Sequence, residues 1–177
     1  ALLINGYVDA YKAFGDSDYL NEAQTIFKAI KEGAYSDGLV VHSFKKGSKR
    51  SEGFLEDYAF LANASLNLYS ASMNSEYLNF AQLLINTVEE RFKDQSGFYK
   101  YNSSNSLISK IIKNDDGVIP SPNAVMAHNL LLLGHIEYNK DYLGNTTTML
   151  TAMQPLLTES IVSYTYWGSL SLKEMYP

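Results

Sequence analysis

Cysteine is absent from all 177 residues, so the chain has no disulfide framework, no thiol nucleophile and no thiolate ligand for a metal. That absence fits a reducing compartment, and a cytoplasmic location is expected. No apolar run approaches the ~18 residues that a membrane span needs. Positive charge is short as well: 14 Lys and Arg against 19 Asp and Glu leave a net charge of -5. The resulting isoelectric point near 5.1 excludes the basic footprint of a nucleic-acid binder. An initiator Met is lacking too, and Ala1-Leu2-Leu3-Ile4-Asn5 has no basic flank to make it a signal peptide. The chain is therefore expected to begin inside a longer protein.

Aromatic rings are what is abundant: 14 Tyr, 8 Phe and 1 Trp. Tyr joins an apolar body to a polar tip, so such rings suit either the rim of a sugar-binding cleft or the walls between packed helices. The length allows one domain with a sizeable core. Apolar residues recur at helical spacing. Residues 2–14 read as a helix, and a second runs to about Ala34 after the turn Gly15-Asp16-Ser17-Asp18, with Ser17 or Asp18 as its cap. Leu39 to Phe44 reads as a short strand, and Lys45–Arg50 as a solvated basic loop. Further helices are expected at about 54–71 and 76–93, from Pro120-Ser121-Pro122-Asn123 to about Tyr138, at 141–158 and at 166–175. Phe98–Tyr101 looks strand-like, and 102–117 reads as a long polar loop around Leu107-Ile108. Three turns echo one another: Asp16-Ser17-Asp18-Tyr19-Leu20, Asn74-Ser75-Glu76-Tyr77-Leu78 and Asn139-Lys140-Asp141-Tyr142-Leu143. The result is an all-α helical-hairpin array with short strands in its long connections. Any site should gather at the long-connection end, which holds His42, Glu56, Asp57, Tyr99, Asp116, Ser121 and Asn123.

The stretch Gly53-Phe54-Leu55-Glu56-Asp57-Tyr58-Ala59-Phe60-Leu61 carries two adjacent carboxylates at a helix entry. Glu56 and Asp57 either settle the helix dipole or point into a cleft ringed by Phe54, Tyr58 and Phe60. Together with Asp116-Gly117-Val118-Ile119-Pro120-Ser121-Pro122-Asn123, and with the matching stretches Ala1–Tyr11 and Leu39–Gly47, this block resembles the C-terminal part of a widespread family. Its members are the spermatogenesis-associated thioredoxin-like proteins, which join a thioredoxin-like domain to a six-hairpin glycosidase-like toroid. Pro122 stands where the family has Gly, Ile119 replaces a usual Thr, and the match fades from about residue 145. A twelve-helix ring needs about twice this length, at ~30 residues for each helix and its connection. The resemblance thus implies that 1–177 is a single helical domain, an arc of a larger α/α-toroid without the thioredoxin-like domain.

It also implies a carbohydrate-active protein, either a sugar isomerase or epimerase or a glycosidase-like enzyme. A non-catalytic binding or scaffold module for the thioredoxin-like domain is the alternative. His42 is the histidine best placed to move a proton beside a sugar carbonyl. Asp57 and Asp116 would flank a glycosidic bond as acid and base if two connections bring them together; otherwise one is a cap and the other a turn residue. Glu56 and Asp57 point about 100° apart on a helix and are not expected to share an atom. Phe54, Tyr58, Phe98 and Tyr99 are candidates to stack on a sugar, with Ser121 and Asn123 as polar contacts or helix caps. His128 and His135 read as packed or surface residues. No metal spacing is present and no cofactor is expected. The expected partners are a sugar or small-molecule ligand, the rest of the ring, the thioredoxin-like domain and, through uncovered helix faces, a second copy.

Overall fold

A computed structural model describes residues 1–43, 51–103 and 110–176. The basic loop Lys45–Arg50 and Leu107-Ile108 lie outside the described residues. Among the described residues seven α-helices carry the fold: α1 Leu2–Phe14, α2 Ser17–Ala34, α3 Leu55–Ser72, α4 Ser75–Arg91, α5 Pro122–Glu137, α6 Lys140–Glu159 and α7 Thr165–Met175. A 3-10 turn, Ile161–Tyr164, precedes α7. Three short strands, β1 Tyr35–Ser36, β2 Leu39–Ser43 and β3 Ser51–Glu52, form an antiparallel sheet in the connection between α2 and α3. Phe98–Tyr101 is not a strand. It contributes one bridge, between Lys93 and Tyr99.

The odd helices stand in a row, α1 against α3, α3 against α5 and α5 against α7, and α1, α3 and α5 are each backed by the even helix that follows. Membership of that row explains the burial. In α5 every residue from Pro122 to Leu131 is buried, and ten residues of α3 are, because both helices have neighbours on either side and a partner behind. Helices α2 and α4 face solvent and bury narrower stripes, among them Ala23 and Phe27, or Tyr77, Phe80, Ala81, Leu84 and Val88. Exposed apolar side chains gather at the two ends of the row, with Leu2, Leu3 and Phe14 on α1 and Leu172 and Met175 on α7.

The three echoed turns share one construction. In each, the odd helix, α1, α3 or α5, ends on a residue in the left-handed region, Gly15, Met73 or Tyr138, whose N–H closes the last turn. The following Asx residue caps the even helix. Asp16 accepts the Asp18 N–H at 2.9 Å, Asn74 the Glu76 N–H at 3.0 Å and Asn139 the Asp141 N–H at 3.0 Å. The cap of α2 is thus Asp16, one residue before Ser17 and two before Asp18, the expected caps. An Asx oxygen reaches the N–H two residues on, so it must stand just outside the helix.

The other end is held by a close approach. The Gly53 N–H donates to the Val40 carbonyl at 2.9 Å, and the Val40 N–H donates to the Tyr58 hydroxyl oxygen at 3.0 Å. A Cβ on Gly53 would lie 2.7 Å from the Val40 oxygen. Gly53→Ala is therefore expected to destabilise the fold by about 1–3 kcal/mol, as overpacking does, and to displace β2. At Gly134 a Cβ would meet the tip of Leu143 at 2.8 Å and the Asn139 carbonyl oxygen at 3.3 Å, a looser backbone contact than at Gly53, and Ala adds ~1 kcal/mol of helix propensity. Gly134→Ala should cost less than Gly53→Ala. Paired denaturant melts check this; equal costs would contradict it.

Candidate active site

A cleft of about 450 Å³ opens at the long-connection end, lined by His42 from β2, Glu56, Asp57 and Phe60 from the first two turns of α3, Leu3 and Ile119. Beyond Glu56 and Ile119, which it shares, a hollow of about 270 Å³ reaches Lys113, Asp115 and Ser121. The two carboxylates at the start of α3 diverge, as their helical spacing requires. Asp57 turns to β2, where its Oδ2 lies 3.0 Å from His42 Nδ1. The same oxygen accepts the Phe54 N–H at 2.8 Å. Phe54 occupies the N-cap without a side-chain oxygen, so Asp57 supplies a side-chain bond to this helix entry and is immobilised by it. The His42 side chain is 45% exposed and that of Asp57 21%, so the pair faces solvent from a fixed carboxylate.

Glu56 turns the other way, and its Oε1 accepts the Tyr101 O–H at 3.0 Å. The Tyr101 ring stacks on Phe54 at 4.9 Å and 12°, Phe54 meets the His42 ring at 5.0 Å, and Lys113 Nζ lies 3.8 Å from the Tyr101 centroid. A continuous layer, His42, Phe54, Tyr101 and Lys113, thus backs both hollows. Burial, then the Glu56 carboxylate, pushes the Tyr101 hydroxyl up to about 12, which keeps it a hydrogen-bond donor at neutral pH. The Leu55 N–H donates to the Tyr101 carbonyl, and the Tyr101 N–H to Ile111, both at 2.8 Å. Helix entry and connection are stitched together at this point.

His42, Glu56, Asp57 and Phe54 are brought together; the other expected site residues serve the fold. Asp116 lines neither hollow. Its carboxylate accepts the Ser121 N–H at 2.8 Å, the Tyr166 N–H at 2.8 Å and the Thr165 hydroxyl at 3.3 Å, tying α5 to α7. The expected Asp57–Asp116 acid–base pair does not share either hollow, and backbone N–H groups already engage the Asp116 carboxylate. Tyr58, Phe98, Tyr99 and Asn123 are buried and present no face to a ligand. The Tyr58 hydroxyl takes the Val40 N–H, Phe98 lies edge-on to Trp167 at 6.1 Å, and the Tyr99 hydroxyl donates to Glu89. Asn123 brackets the Tyr99 backbone. Ser121 lines the smaller hollow, but its hydroxyl oxygen caps α5 by accepting the Ala124 N–H at 3.1 Å.

Tyr101 and Lys113 were missed from sequence. The run Phe98–Tyr101 signals buried rings without saying which face the core, and Lys113 lies in a polar stretch with no periodicity.

The row of helical hairpins with a cleft at its long-connection end defines the class, an arc of an α/α-toroid. It superimposes on an inactive α-1,6-mannanase of Salegentibacter, in which two consecutive aspartates are replaced and mannotriose is bound. The TM-score is 0.68 at 16% identity, over 85% of this chain and 44% of that one. It superimposes equally on a D-mannose isomerase, with TM-score 0.69 and 17% identity over 89% of this chain and 40% of that one. In sequence the chain is similar to human spermatogenesis-associated protein 20, with 32% identity over 169 residues and 85% of this chain. The mouse protein of that name is 40% identical over 104 residues. The resemblance read from the Gly53–Phe60 and Asp116–Val125 blocks is to this same group. The chain spans about a fifth of the length of the human relative. No protein-family profile matches it. Among the described residues no helix is long and apolar enough to cross a membrane.

Proposed function

We propose that this chain contributes a proton-transfer site for an open-chain sugar, of the isomerase or epimerase type. One observation carries the reading: His42 Nδ1 lies 3.0 Å from an Asp57 oxygen that the Phe54 N–H already holds in place. Asp57 fixes the tautomer with hydrogen on Nδ1, which leaves Nε2 as the basic atom. At a sugar aldehyde, Nε2 takes the proton from the carbon next to the carbonyl, and the electron pair moves onto the carbonyl oxygen as an enediolate. Return of that proton to the carbonyl carbon, with the hydrogen of the adjacent hydroxyl passing to the former carbonyl oxygen, gives the isomer; protonation of the opposite face of the original carbon, once the enediolate has turned that face to a donor, gives the epimer. Glu56, oriented by Tyr101, is positioned to accept a sugar hydroxyl. Glycoside cleavage by Asp57 with Asp116 is the weaker reading, since Asp116 is spent on backbone N–H groups. The isomerase and the mannanase among the structural neighbours support a sugar as the ligand class. The scaffold reading has no comparable observation in its favour.

The test is deuterium exchange from D2O into C2 of mannose, glucose and cellobiose, followed by NMR with the full-length protein. Exchange is expected for at least one sugar. His42→Ala should lower it by about 10²–10⁴-fold, the usual contribution of a positioned base, with an unchanged melting temperature. Absence of exchange from every sugar with a folded protein would overturn the proposal in favour of the scaffold.

A further inference from the structure

A second hollow, of about 380 Å³, lies on the row of odd helices between α3, α5 and α7, and shares no lining residue with the His42 cleft. Its floor is an amide ladder. Asn67 Nδ2 donates to Asn5 Oδ1 at 2.9 Å, Asn5 Nδ2 to Asn63 Oδ1 at 2.8 Å and Asn63 Nδ2 to Asn129 Oδ1 at 2.9 Å. Asn129, fully buried, ends the ladder on the Ala59 carbonyl at 2.9 Å. Three helices are crossed by one chain of amides, and the ladder does not use up its members. An amide has two N–H groups and an oxygen with two lone pairs. Asn63 therefore keeps an N–H and Asn67 its carbonyl oxygen, and both residues line the hollow while only half-buried.

Beside them His128 stacks on Tyr166 at 4.2 Å and is bonded through Nε2 to the Tyr166 carbonyl at 3.0 Å. Burial lowers its pKa to about 4, so the ring is neutral, carries its hydrogen on Nε2 and offers Nδ1 as an acceptor. Leu131 and Leu132 supply an apolar wall. Uncharged donors and acceptors beside a patch of C–H surface are the complement of a sugar ring or linear polyol, whose every hydroxyl both donates and accepts. The volume falls within the ~300–1,000 Å³ of small-molecule sites. Among the described lining residues Lys173 is the one ammonium, and it is exposed.

We infer that this hollow is a second binding site, for an uncharged polyhydroxylated ligand held by Asn63, Asn67 and His128 against Leu132. It does not depend on the His42 chemistry. Calorimetric titration of the full-length protein with mannitol and with methyl α-mannoside tests it, because neither probe has a free carbonyl for His42 to act beside. Saturable binding of at least one probe is expected, unchanged in His42→Ala and weakened at least 10-fold in both Asn67→Leu and Leu132→Trp. Leu132 is 36% exposed, so the tryptophan fills the hollow and leaves the ladder intact. The inference is overturned by the absence of saturable heat with either probe, or by binding that survives both hollow variants. It is also overturned if gluconate binds and the neutral probes do not, which would make Lys173 the recognising group of an anion site. Loss of binding in His42→Ala alone would place the ligand in the first cleft and overturn it as well.

Discussion

Asn123→Ala is expected to lower the melting temperature by about 10 °C, more than any other single polar truncation near the cleft. Asn123 is fully buried at the second position of α5 and makes three bonds. Its oxygen accepts the Tyr99 N–H at 2.8 Å, and its amide donates to the Tyr99 carbonyl and to the Lys113 carbonyl, each at 3.0 Å. No other protein group replaces it once the side chain is cut back. A buried donor or acceptor left unmade costs about 1–3 kcal/mol, and with three affected the total is at least about 3 kcal/mol. At ~2–4 °C per kcal/mol for a chain of this size, the fall is on the order of 10 °C. The neighbouring cap truncation Ser121→Ala removes one bond and should cost about 1 kcal/mol. A thermal melt of the two variants side by side distinguishes them, and a loss in Asn123→Ala no greater than in Ser121→Ala would contradict the bracket.

The consequence reaches the cleft. Asn123 holds the segment around Tyr99 to the segment around Lys113, and Tyr101 and Lys113 stand on those two segments behind Glu56. Asn123, expected as a polar contact or a helix cap, stands in the structure as a buried bracket between the segments that carry Tyr101 and Lys113. The sequence does not tell these roles apart, for a physical reason. Asn after Ser-Pro at a helix entry suits a cap, a ligand contact or a backbone bracket equally well, and only the depth of burial separates them.

The same limit runs through the rest of the molecule. Helix extents were legible because the apolar period persists and because the turns repeat a left-handed residue followed by an Asx cap. Which hairpin stands between which was hidden in the degree of burial: α5 is apolar on nearly all sides, the mark of a helix enclosed by neighbours. The pairing of His42 with Asp57 was not visible, since it depends on β2 folding back onto the start of α3 across 15 residues. The two segments are drawn together by the Gly53 and Tyr58 contacts to Val40, a close approach that Gly53 alone permits. The amide ladder left no signal either. Asn5, Asn63, Asn67 and Asn129 look like ordinary polar positions until the odd helices are set side by side.

Acid should weaken the fold in two separable stages, and the first belongs to His128. Burial holds its pKa down to about 4, with Lys173 pressing the same way and the Tyr166 carbonyl and Asp116 opposing it. In the unfolded chain the ring titrates near its ordinary value of about 6.5. Between those values the unfolded state carries the extra proton, so stability rises with pH across the window and is lost as pH falls through it. The contribution is complete above about pH 6.5 and exhausted below about pH 4. At about 1.4 kcal/mol per pH unit the loss is roughly 3 kcal/mol, or on the order of 10 °C in melting temperature. The paired carboxylates act lower. Ser96 and Lys110 hold the Asp94 carboxyl well below the usual range, and Lys31 lowers Glu76. Their contributions are present above the ordinary carboxylate range and fall away only beneath it. His128→Leu isolates the first stage cleanly, because the Tyr166 carbonyl keeps the Ser169 hydroxyl as a donor at 3.1 Å and is not orphaned. Melting temperatures recorded at half-unit steps from pH 7 to 4.5 should slope downward in the parent and run nearly level in His128→Leu. Parallel slopes in the two proteins would mean that His128 is not held neutral, and would remove the acceptor on which the second binding site depends.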